Sequence, residues 1–232
     1  MKEKIYLIPG LMTDERLWKR IKPLLENDFE LVYLKIPMTS DFDEINRYLL
    51  EEIKDKEINL LGFSLGGYIA SYFTLNYPNK VKRLFNLAST PSGSSSKDDK
   101  RREQKIKDVD EKGFEPLSIQ KAKSLVEEKN QDDEDLINTI IDMFTSLGKE
   151  NFKTQLNCTL NRVDLFDRLV KLDKPIYFFY SKDDRLLTKD SLQRLENENH
   201  NMKVISREGT SHNISLEEPT LLVEKIREWI RL

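Results

Sequence analysis

The chain is organised around one stretch, Leu60-Leu61-Gly62-Phe63-Ser64-Leu65-Gly66-Gly67-Tyr68. The short, mostly apolar run at residues 57–61 is typical of a strand in a covered parallel sheet. After Ser64, apolar residues recur at helical spacing until Pro78 ends the run. The stretch therefore predicts a strand, a sharp turn with Ser64 at its apex, and a helix.

The residues around Ser64 suit such a turn. The backbone of a tight strand-to-helix corner is strained, so the residues two before and two after the apex must be small. Gly62 and Gly66 meet both requirements. The G-x-S-x-G pattern also arises by chance in glycine-serine turns, but the flanking strand and helix favour Ser64 as a nucleophile.

A serine hydroxyl needs a base to take its proton and a carboxylate to orient that base. The sequence contains 2 histidines. His212 lies in the loop after the last predicted strand, from which it can reach the carboxyl edge of the sheet. His200 lies in a polar turn, which is typical of a surface histidine. His212 is therefore the candidate base.

The candidate acids follow the apolar run at residues 174–180. Asp183 and Asp184 both stand at the carboxyl end of this predicted strand, and we favour Asp184 as the acid. Asp183 is expected to be solvated or to cap the following turn. Asp164 is a weaker candidate, for which we expect a structural ion pair.

Attack on a carbonyl also requires hydrogen-bond donors for the oxyanion that forms. Backbone amides can supply them at two loops. One predicted donor is the N–H of Leu65 at the start of the helix after Ser64. The other is the N–H of Leu11 in the loop after Gly10, with Met12 as the adjacent alternative. Phe63, beside the nucleophile, joins these three residues in the predicted substrate-binding group.

Strand and helix patterns alternate along most of the chain, which predicts an α/β protein with a mostly parallel sheet covered by helices. The helix predicted after the first strand is kinked at Pro23, or a second short segment starts there. Its apolar residues share one face and are Leu17, Trp18, Ile21, Leu24 and Leu25. About six strands are predicted, at residues 4–9, 29–36, 57–61, 82–88, 174–180 and 202–206.

The alternation lapses between the fourth and fifth strands, over far too many residues for an ordinary connection. We predict an inserted helical cap at residues 92–165, with 1–91 and 166–232 forming the core. The serine-rich, charged segment at 92–103 has few apolar residues and is expected to be mobile. Helical patterns occur in the insertion near residues 103–112, 117–129, 133–147 and 150–160.

Composition limits the kinds of partner and site. The length of 232 residues is typical of one domain. The 38 basic and 41 acidic side chains nearly cancel, and a net charge of -3 predicts neither nucleic acid nor an anionic membrane as a partner. The single cysteine, Cys158, cannot form an internal disulfide and is expected to be a small, semi-buried helix residue. Histidines and acidic residues do not cluster with metal-ligand spacing, so no metal or cofactor is predicted. The sequence shows neither a signal-peptide pattern nor a membrane-length apolar run, and a cytoplasmic location is expected.

Four motifs together resemble a known family. They are Leu7-Ile8-Pro9-Gly10-Leu11, Gly62-Phe63-Ser64-Leu65-Gly66-Gly67, Tyr180-Ser181-Lys182-Asp183-Asp184-Arg185, and Gly209 to His212 followed by Glu217-Glu218-Pro219. They resemble the α/β-hydrolase fold superfamily, and specifically its small bacterial esterase-type members. The chain order of Ser64, Asp184 and His212 is the one this superfamily uses. The chain departs from many relatives at Pro9, where they have histidine, and at Ser181, where they have glycine.

The resemblance implies a serine hydrolase that cleaves a small carboxylic ester through an acyl-enzyme on Ser64, with His212 as base and Asp184 as acid. A lyase or carbon–carbon hydrolase with the same triad is an alternative, because such relatives include a menaquinone-pathway enzyme that eliminates pyruvate. A non-catalytic ligand-binding receptor on the same fold is an alternative of another class. The complete triad argues against a receptor. No oligomeric state is predicted.

Overall fold

The computed structural model describes residues 2–197 and 202–232. Within these residues, six strands form one sheet in which every neighbouring pair is parallel. The strands are β1 (Glu3–Ile8), β2 (Phe29–Tyr33), β3 (Ile58–Phe63), β4 (Val81–Leu87), β5 (Ile176–Ser181) and β6 (Met202–Arg207). Their order across the sheet is β2-β1-β3-β4-β5-β6, which confirms the predicted α/β architecture.

Helices connect the strands, as parallel pairing requires. In the described residues they are α1 (Lys22–Leu25), α2 (Phe42–Glu52), α3 (Leu65–Asn76), α4 (Ser96–Lys112), α5 (Ile119–Lys123), α6 (Glu134–Cys158), α7 (Phe166–Leu169), α8 (Lys189–Asn197), α9 (Ile214–Glu217) and α10 (Pro219–Ile230). No helix in these residues is long and apolar enough to cross a membrane.

The sheet is buried on both faces because its strands are apolar at successive positions. Side chains alternate between the two faces of a strand, so Leu61 and Phe63 of β3 enter one core while Ile58 and Leu60 enter the other. The first core is closed mainly by α10 and by α6, and the second by α2, α3 and α8. The motif strand β3 therefore lies at the centre of the molecule.

The strand order reverses direction beside β3. From β1 the chain moves outward to β2, then returns to the other side of β1 as β3 and continues toward β6. Loops that leave the carboxyl ends of β1 and β3 diverge at this point, which opens a crevice in sheets of this kind. Gly10 and Ser64 lie in these two loops.

The helix after β1 is broken near Pro23, where the sequence predicts a kink or the start of a second short segment. A 3₁₀ turn at Glu15–Trp18 is followed by the short α1, and Pro23 occupies the first turn of α1, where its missing N–H is tolerated. Leu24 was expected on the buried face, but its exposed fraction is 41%. That expectation is wrong, because in the short α1 it is Leu25 that is buried while Leu24 faces solvent.

The segment between β4 and β5 is helical, and its two ends are joined. The N–H of Ser94 donates to the carbonyl of Arg162 at 3.0 Å, and the N–H of Leu165 donates to the carbonyl of Pro91 at 2.9 Å. The inserted helices therefore leave the sheet and return to it at one place.

The start of the insertion is more regular than expected. Residues 92–103 were predicted to be mobile, but α4 begins at Ser96 rather than near residue 103. The Ser95 hydroxyl caps the helix by accepting from the N–H of Asp98 at 3.1 Å. Arg102 also donates to the carbonyl of Thr159 at 3.0 Å, which ties α4 to the end of α6. Residues 96–103, part of the segment expected to be mobile, are therefore helical.

The later helices of the insertion also differ in extent. The pattern at 117–129 forms only α5 and a 3₁₀ turn at Glu128–Asn130. The two patterns at 133–147 and 150–160 form the single element α6, which is interrupted at Gly148 with φ 70° and ψ −173°. A positive φ is readily adopted by glycine, so Gly148 allows the helix to change direction there. The rings of Phe114, Phe144 and Phe152 pack together around this interruption.

Candidate active site

Ser64 occupies the corner between β3 and α3. Its backbone angles, φ 52° and ψ −116°, are rare for a residue with a side chain. Neighbouring groups hold it there, since its N–H donates to the carbonyl of Leu87 at 2.9 Å and its carbonyl accepts from the Ser89 hydroxyl at 2.8 Å. The hydroxyl of Ser64 is thus presented at the amino end of α3, at the carboxyl edge of the sheet.

The two motif glycines are required by close backbone contacts. A Cβ atom on Gly62 would lie 2.2 Å from the carbonyl oxygen of Gly66. A Cβ atom on Gly66 would lie 2.2 Å from the carbonyl oxygen of Pro9, which belongs to the chain leaving β1. Any larger residue at either position would push the turn open and displace Ser64.

His212 lies between Ser64 and Asp184. Its Nε2 atom is 2.9 Å from Ser64 Oγ, and its Nδ1 atom is 2.7 Å from Asp184 Oδ2. Asp184 has a fully buried side chain and His212 is 8% exposed, so the interaction between these two residues is shielded from water, whereas the one with Ser64 is partly open. With the proton on Nδ1 held by the carboxylate, Nε2 is free to accept the serine proton.

The structure distinguishes the three predicted acids. Asp184 contacts His212, and its Oδ1 atom also accepts from the N–H of Leu186 at 2.9 Å, which fixes the carboxylate. Asp183 is exposed. Asp164 accepts from Arg194 at 2.8 Å and caps α7 through the N–H of Phe166 at 2.9 Å. Only Asp184 among the three is hydrogen-bonded to His212.

The loop after β1 forms a β-turn from Gly10 to Thr13. The N–H of Thr13 donates to the carbonyl of Gly10 at 3.3 Å, and the N–H of Gly10 donates to the Thr13 hydroxyl at 2.7 Å. The N–H of Met12 donates to Gln155 Oε1 at 2.7 Å. No hydrogen bond within residues 2–197 and 202–232 uses the N–H of Leu11. Leu65 is the first residue of α3, and an N–H at that position has no partner inside its helix.

The ring of Phe63 packs against the imidazole of His212. Its side chain is 1% exposed, and its ring centroid lies 5.0 Å from that of His212 and 6.5 Å from that of Trp18. A Cβ atom on Gly10 would lie 2.8 Å from this ring. Phe63 therefore packs between the two loops and against the imidazole.

Ser181, where many members of the resembled family have glycine, forms a specific hydrogen bond. It is fully buried, and its hydroxyl donates to the carbonyl of Ser211 at 2.6 Å. Arg207 donates to the same hydroxyl at 3.0 Å. Because Ser211 precedes His212, the Ser181 side chain holds the loop that carries the base.

Glu127 was missed by sequence reasoning. It belongs to the insertion, yet its Oε1 atom accepts from the N–H groups of Thr210 and Ser211 at 2.9 and 3.0 Å and from Arg207 at 2.7 Å. Burial alone would raise the pKa of Glu127, but the hydrogen bonds from Arg207 and the two amides outweigh it and lower the pKa to about 2. Glu217 extends the cluster by accepting from the N–H of Glu127 at 2.7 Å.

Gln155 was missed for the same reason as Glu127. Both are single polar residues in helical patterns of the insertion, and neither belongs to a motif. Only their contacts with distant loops give them a place at the site.

Two further residues singled out in the sequence are Cys158 and His200. Cys158 is buried at the end of α6, and burial raises the pKa of its thiol to about 12. His200 lies outside the described residues. Within the described part of the chain, no group of three or more His, Cys, Asp or Glu side chains could hold a metal ion.

The sequence and the fold match a known family. The family model described as alpha/beta hydrolase fold matches residues 23–219. The chain therefore belongs to the α/β hydrolase fold family. Among curated relatives, it is 27% identical over 92 residues to a pimeloyl-acyl-carrier protein methyl ester esterase of Legionella pneumophila, a match that covers 38% of each chain.

A second curated relative matches a longer segment. The chain is 25% identical over 180 residues to a 2-hydroxy-6-oxononadienedioate/2-hydroxy-6-oxononatrienedioate hydrolase of Escherichia coli, covering 70% of this chain and 57% of that one. The chain thus matches between about two fifths and three fifths of the length of these relatives.

Solved structures share the whole fold. An esterase from Thermogutta terrifontis superposes with a TM-score of 0.82 at 19% identity, covering 100% of this chain and 90% of the other. An enol-lactonase from Burkholderia xenovorans superposes with a TM-score of 0.85 at 14% identity, covering 100% of this chain and 92% of the other. At sequence identities this low, the superpositions show a shared fold and nothing about a shared reaction.

Proposed function

We propose that this protein is a serine hydrolase that cleaves a small carboxylic ester through an acyl-enzyme on Ser64. The observation that carries the proposal is the hydrogen-bond chain from Ser64 through His212 to the buried Asp184, at 2.9 and 2.7 Å. Such a chain activates a hydroxyl that is otherwise a weak nucleophile. The relative from Legionella pneumophila, which is named as a methyl ester esterase, supports hydrolysis of a carboxylic ester.

In the acylation step, Ser64 Oγ attacks the ester carbonyl carbon while His212 Nε2 takes the hydroxyl proton. The carbonyl π electrons move to oxygen, and the N–H groups of Leu65 and Leu11 donate to the resulting oxyanion. The tetrahedral intermediate then collapses, the bond from carbon to the alcohol oxygen breaks, and His212 gives its proton to the leaving alkoxide. The acyl group remains on Ser64.

In the deacylation step, water takes the place of the alcohol. His212 Nε2 removes a proton from water, and the hydroxide attacks the acyl carbon. The second tetrahedral intermediate collapses as the bond to Ser64 Oγ breaks, and His212 returns the proton to the serine. Asp184 keeps its charge throughout and stabilises the imidazolium that forms in both steps.

We propose that residues 92–165 form a cap over this site. Parallel strands present their carboxyl ends at one edge, and the insertion leaves the sheet at that edge, after β4. Two residues of the insertion, Gln155 and Glu127, contact the loops that carry Leu11 and His212. A cap in this position lines the pocket for the acyl group and selects among acyl chains.

The test is covalent labelling combined with turnover. The wild-type protein should form an adduct with a fluorophosphonate, located on Ser64 by peptide mass spectrometry, and should hydrolyse p-nitrophenyl esters of short or medium chain length. An adduct on another residue, or none, would contradict the proposal. A receptor that only binds ligand would neither label nor turn over esters.

A second candidate reaction is hydrolysis of a carbon–carbon bond by the same residues. The E. coli relative named for 2-hydroxy-6-oxononadienedioate favours it, because that match covers 70% of this chain. Labelling does not separate this reaction from ester hydrolysis. Loss of dienol absorbance from a 2-hydroxy-6-oxodienoate, with little turnover of p-nitrophenyl esters, would favour the second candidate.

A further inference from the structure

The turn after β1 contains two central residues whose amides the turn itself does not use. In a β-turn the hydrogen bond joins the first and fourth residues, here Gly10 and Thr13. Leu11 and Met12 occupy the two central positions, so their N–H groups need other partners. Only an N–H group that has no acceptor within the protein is available to donate to an oxyanion.

Met12 is held in an unusual conformation. Its φ of 55° lies in the left-handed region, which glycine adopts readily and residues with side chains rarely do. Met12 and Gln155 are each only 4% exposed, and the Gln155 Oε1 atom accepts from the Met12 N–H at 2.7 Å. Without this acceptor, a buried amide would lose its only partner, so the interaction strongly favours the observed turn.

The hydrogen bond to Gln155 makes the Met12 and Leu11 N–H groups different. The Met12 N–H is engaged by Gln155, whereas the Leu11 N–H is not used by any hydrogen bond in the described residues. Gln155 lies in α6, 143 residues away in sequence from Met12. A side chain of the inserted helix thus fixes the loop opposite the nucleophile.

We propose that Gln155 is a positioning residue that holds the Gly10 to Thr13 turn so that the Leu11 N–H can donate to the oxyanion. The inference rests on the proposed serine-hydrolase function. It gives the insertion a part in transition-state stabilisation besides covering the substrate. Gln155 touches neither substrate nor nucleophile in this role and acts only through the turn.

The expected effect is specific to the chemical step. An oxyanion donor is worth more in the transition state than in the substrate complex, so its displacement lowers kcat more than it raises KM. Loss of one donor costs about 100- to 1000-fold in kcat in a well-studied protease. A displaced donor is a milder change, and we expect a fall in kcat of about 10- to 100-fold.

Three variants of Gln155 and one control test the proposal. Gln155→Leu removes the acceptor at similar size, Gln155→Asn keeps an amide that is too short to reach, and Gln155→Glu keeps an acceptor oxygen. Asn157→Leu removes an exposed amide from the same helix and serves as the control. We expect reduced kcat in the Leu and Asn variants, near-complete recovery in Gln155→Glu, and no change in Asn157→Leu.

A boronic acid that forms a tetrahedral adduct on Ser64 supplies the second measurement. Its affinity should fall with kcat across the three variants, while the affinity of a planar product carboxylate stays constant. A merely structural role would change both affinities together, or neither. If Gln155→Leu does not fold, Gln155→Asn and Gln155→Glu carry the comparison.

Two results would overturn the proposal. Unchanged kcat and boronate affinity in a folded Gln155→Leu protein would show that the contact does not matter for catalysis. A faster Gln155→Leu enzyme would show that Gln155 occupies a donor that the substrate needs, which makes Met12 the oxyanion residue. Either result leaves the proposed function intact if wild-type Ser64 is still labelled by the fluorophosphonate.

Discussion

Glu127 accepts a hydrogen bond from the N–H of Ser211, the residue before the candidate base, at 3.0 Å. This contact joins the inserted helices to the loop after β6 across 84 residues of sequence. Together with Gln155, which contacts the loop after β1, it places the insertion against both sides of the candidate site. The position of His212 therefore depends on side chains outside the α/β core.

Ser64→Ala should abolish ester turnover and leave the fold intact. The change removes the nucleophilic oxygen and adds no bulk at the strained corner, where Ser64 has a φ of 52°. Turnover of p-nitrophenyl esters measures the first effect, and circular dichroism with thermal unfolding measures the second. Near-native turnover in a folded Ser64→Ala protein would exclude Ser64 as nucleophile.

Asp184→Asn should be severe and Asp183→Asn mild. Asp184 is buried and hydrogen-bonded to His212, whereas its neighbour Asp183 is exposed and serves as the matched control. Replacing the acid of a serine protease by Asn costs about 10⁴-fold in kcat because the imidazole takes the wrong tautomer. We expect a loss of similar order for Asp184→Asn, measured as kcat for the same ester. Equal effects of the two changes would contradict the assignment.

Glu127→Gln should destabilise the protein near neutral pH. The change weakens the hydrogen bonds that the largely buried Glu127 carboxylate accepts from Arg207 and two backbone amides. We expect the free energy of unfolding to fall by about 1 to 3 kcal/mol. Urea unfolding measures it. Glu128→Gln, at an exposed neighbouring carboxylate, is the control and should have little effect.

The Glu127 effect should also depend on pH in a defined direction. Folding lowers the pKa of Glu127 to about 2, below its value of about 4.3 in an unfolded chain. The stability contributed by its charge is therefore complete above about pH 4.3 and is lost as the pH falls toward 2. The difference in unfolding free energy between wild type and Glu127→Gln should shrink over that interval. A constant difference would show that the charge of Glu127 contributes nothing.

Cys158 should be unreactive toward iodoacetamide in the folded protein at neutral pH. Burial raises the pKa of its thiol to about 12, so almost no thiolate is present, and the side chain is only 1% exposed. In concentrated urea the thiol should react fully, which mass spectrometry would detect. Rapid alkylation of the folded protein would indicate that the end of α6 opens readily.

The core of the fold could be predicted from local features of the sequence. Apolar runs and helical spacing identified all six strands of the sheet, and the spacing of Gly62, Ser64 and Gly66 identified the strained corner. These features are readable because the alternation of side chains along a strand and the steric limits of a tight turn act over a few residues. The candidate nucleophile could be named from that corner, and the candidate base because one of the 2 histidines, His212, follows the last predicted strand.

The sequence favoured Asp184 over Asp183, but only the tertiary structure showed that Asp184 contacts His212 and revealed the contacts of Gln155 and Glu127. Adjacent aspartates have the same chemistry, and which of them is buried beside His212 depends on how the loops after β5 and β6 pack. Gln155 and Glu127 contact residues 143 and 84 positions away in sequence. Such contacts depend on where the inserted helices fold back onto the sheet, and no local pattern encodes that position.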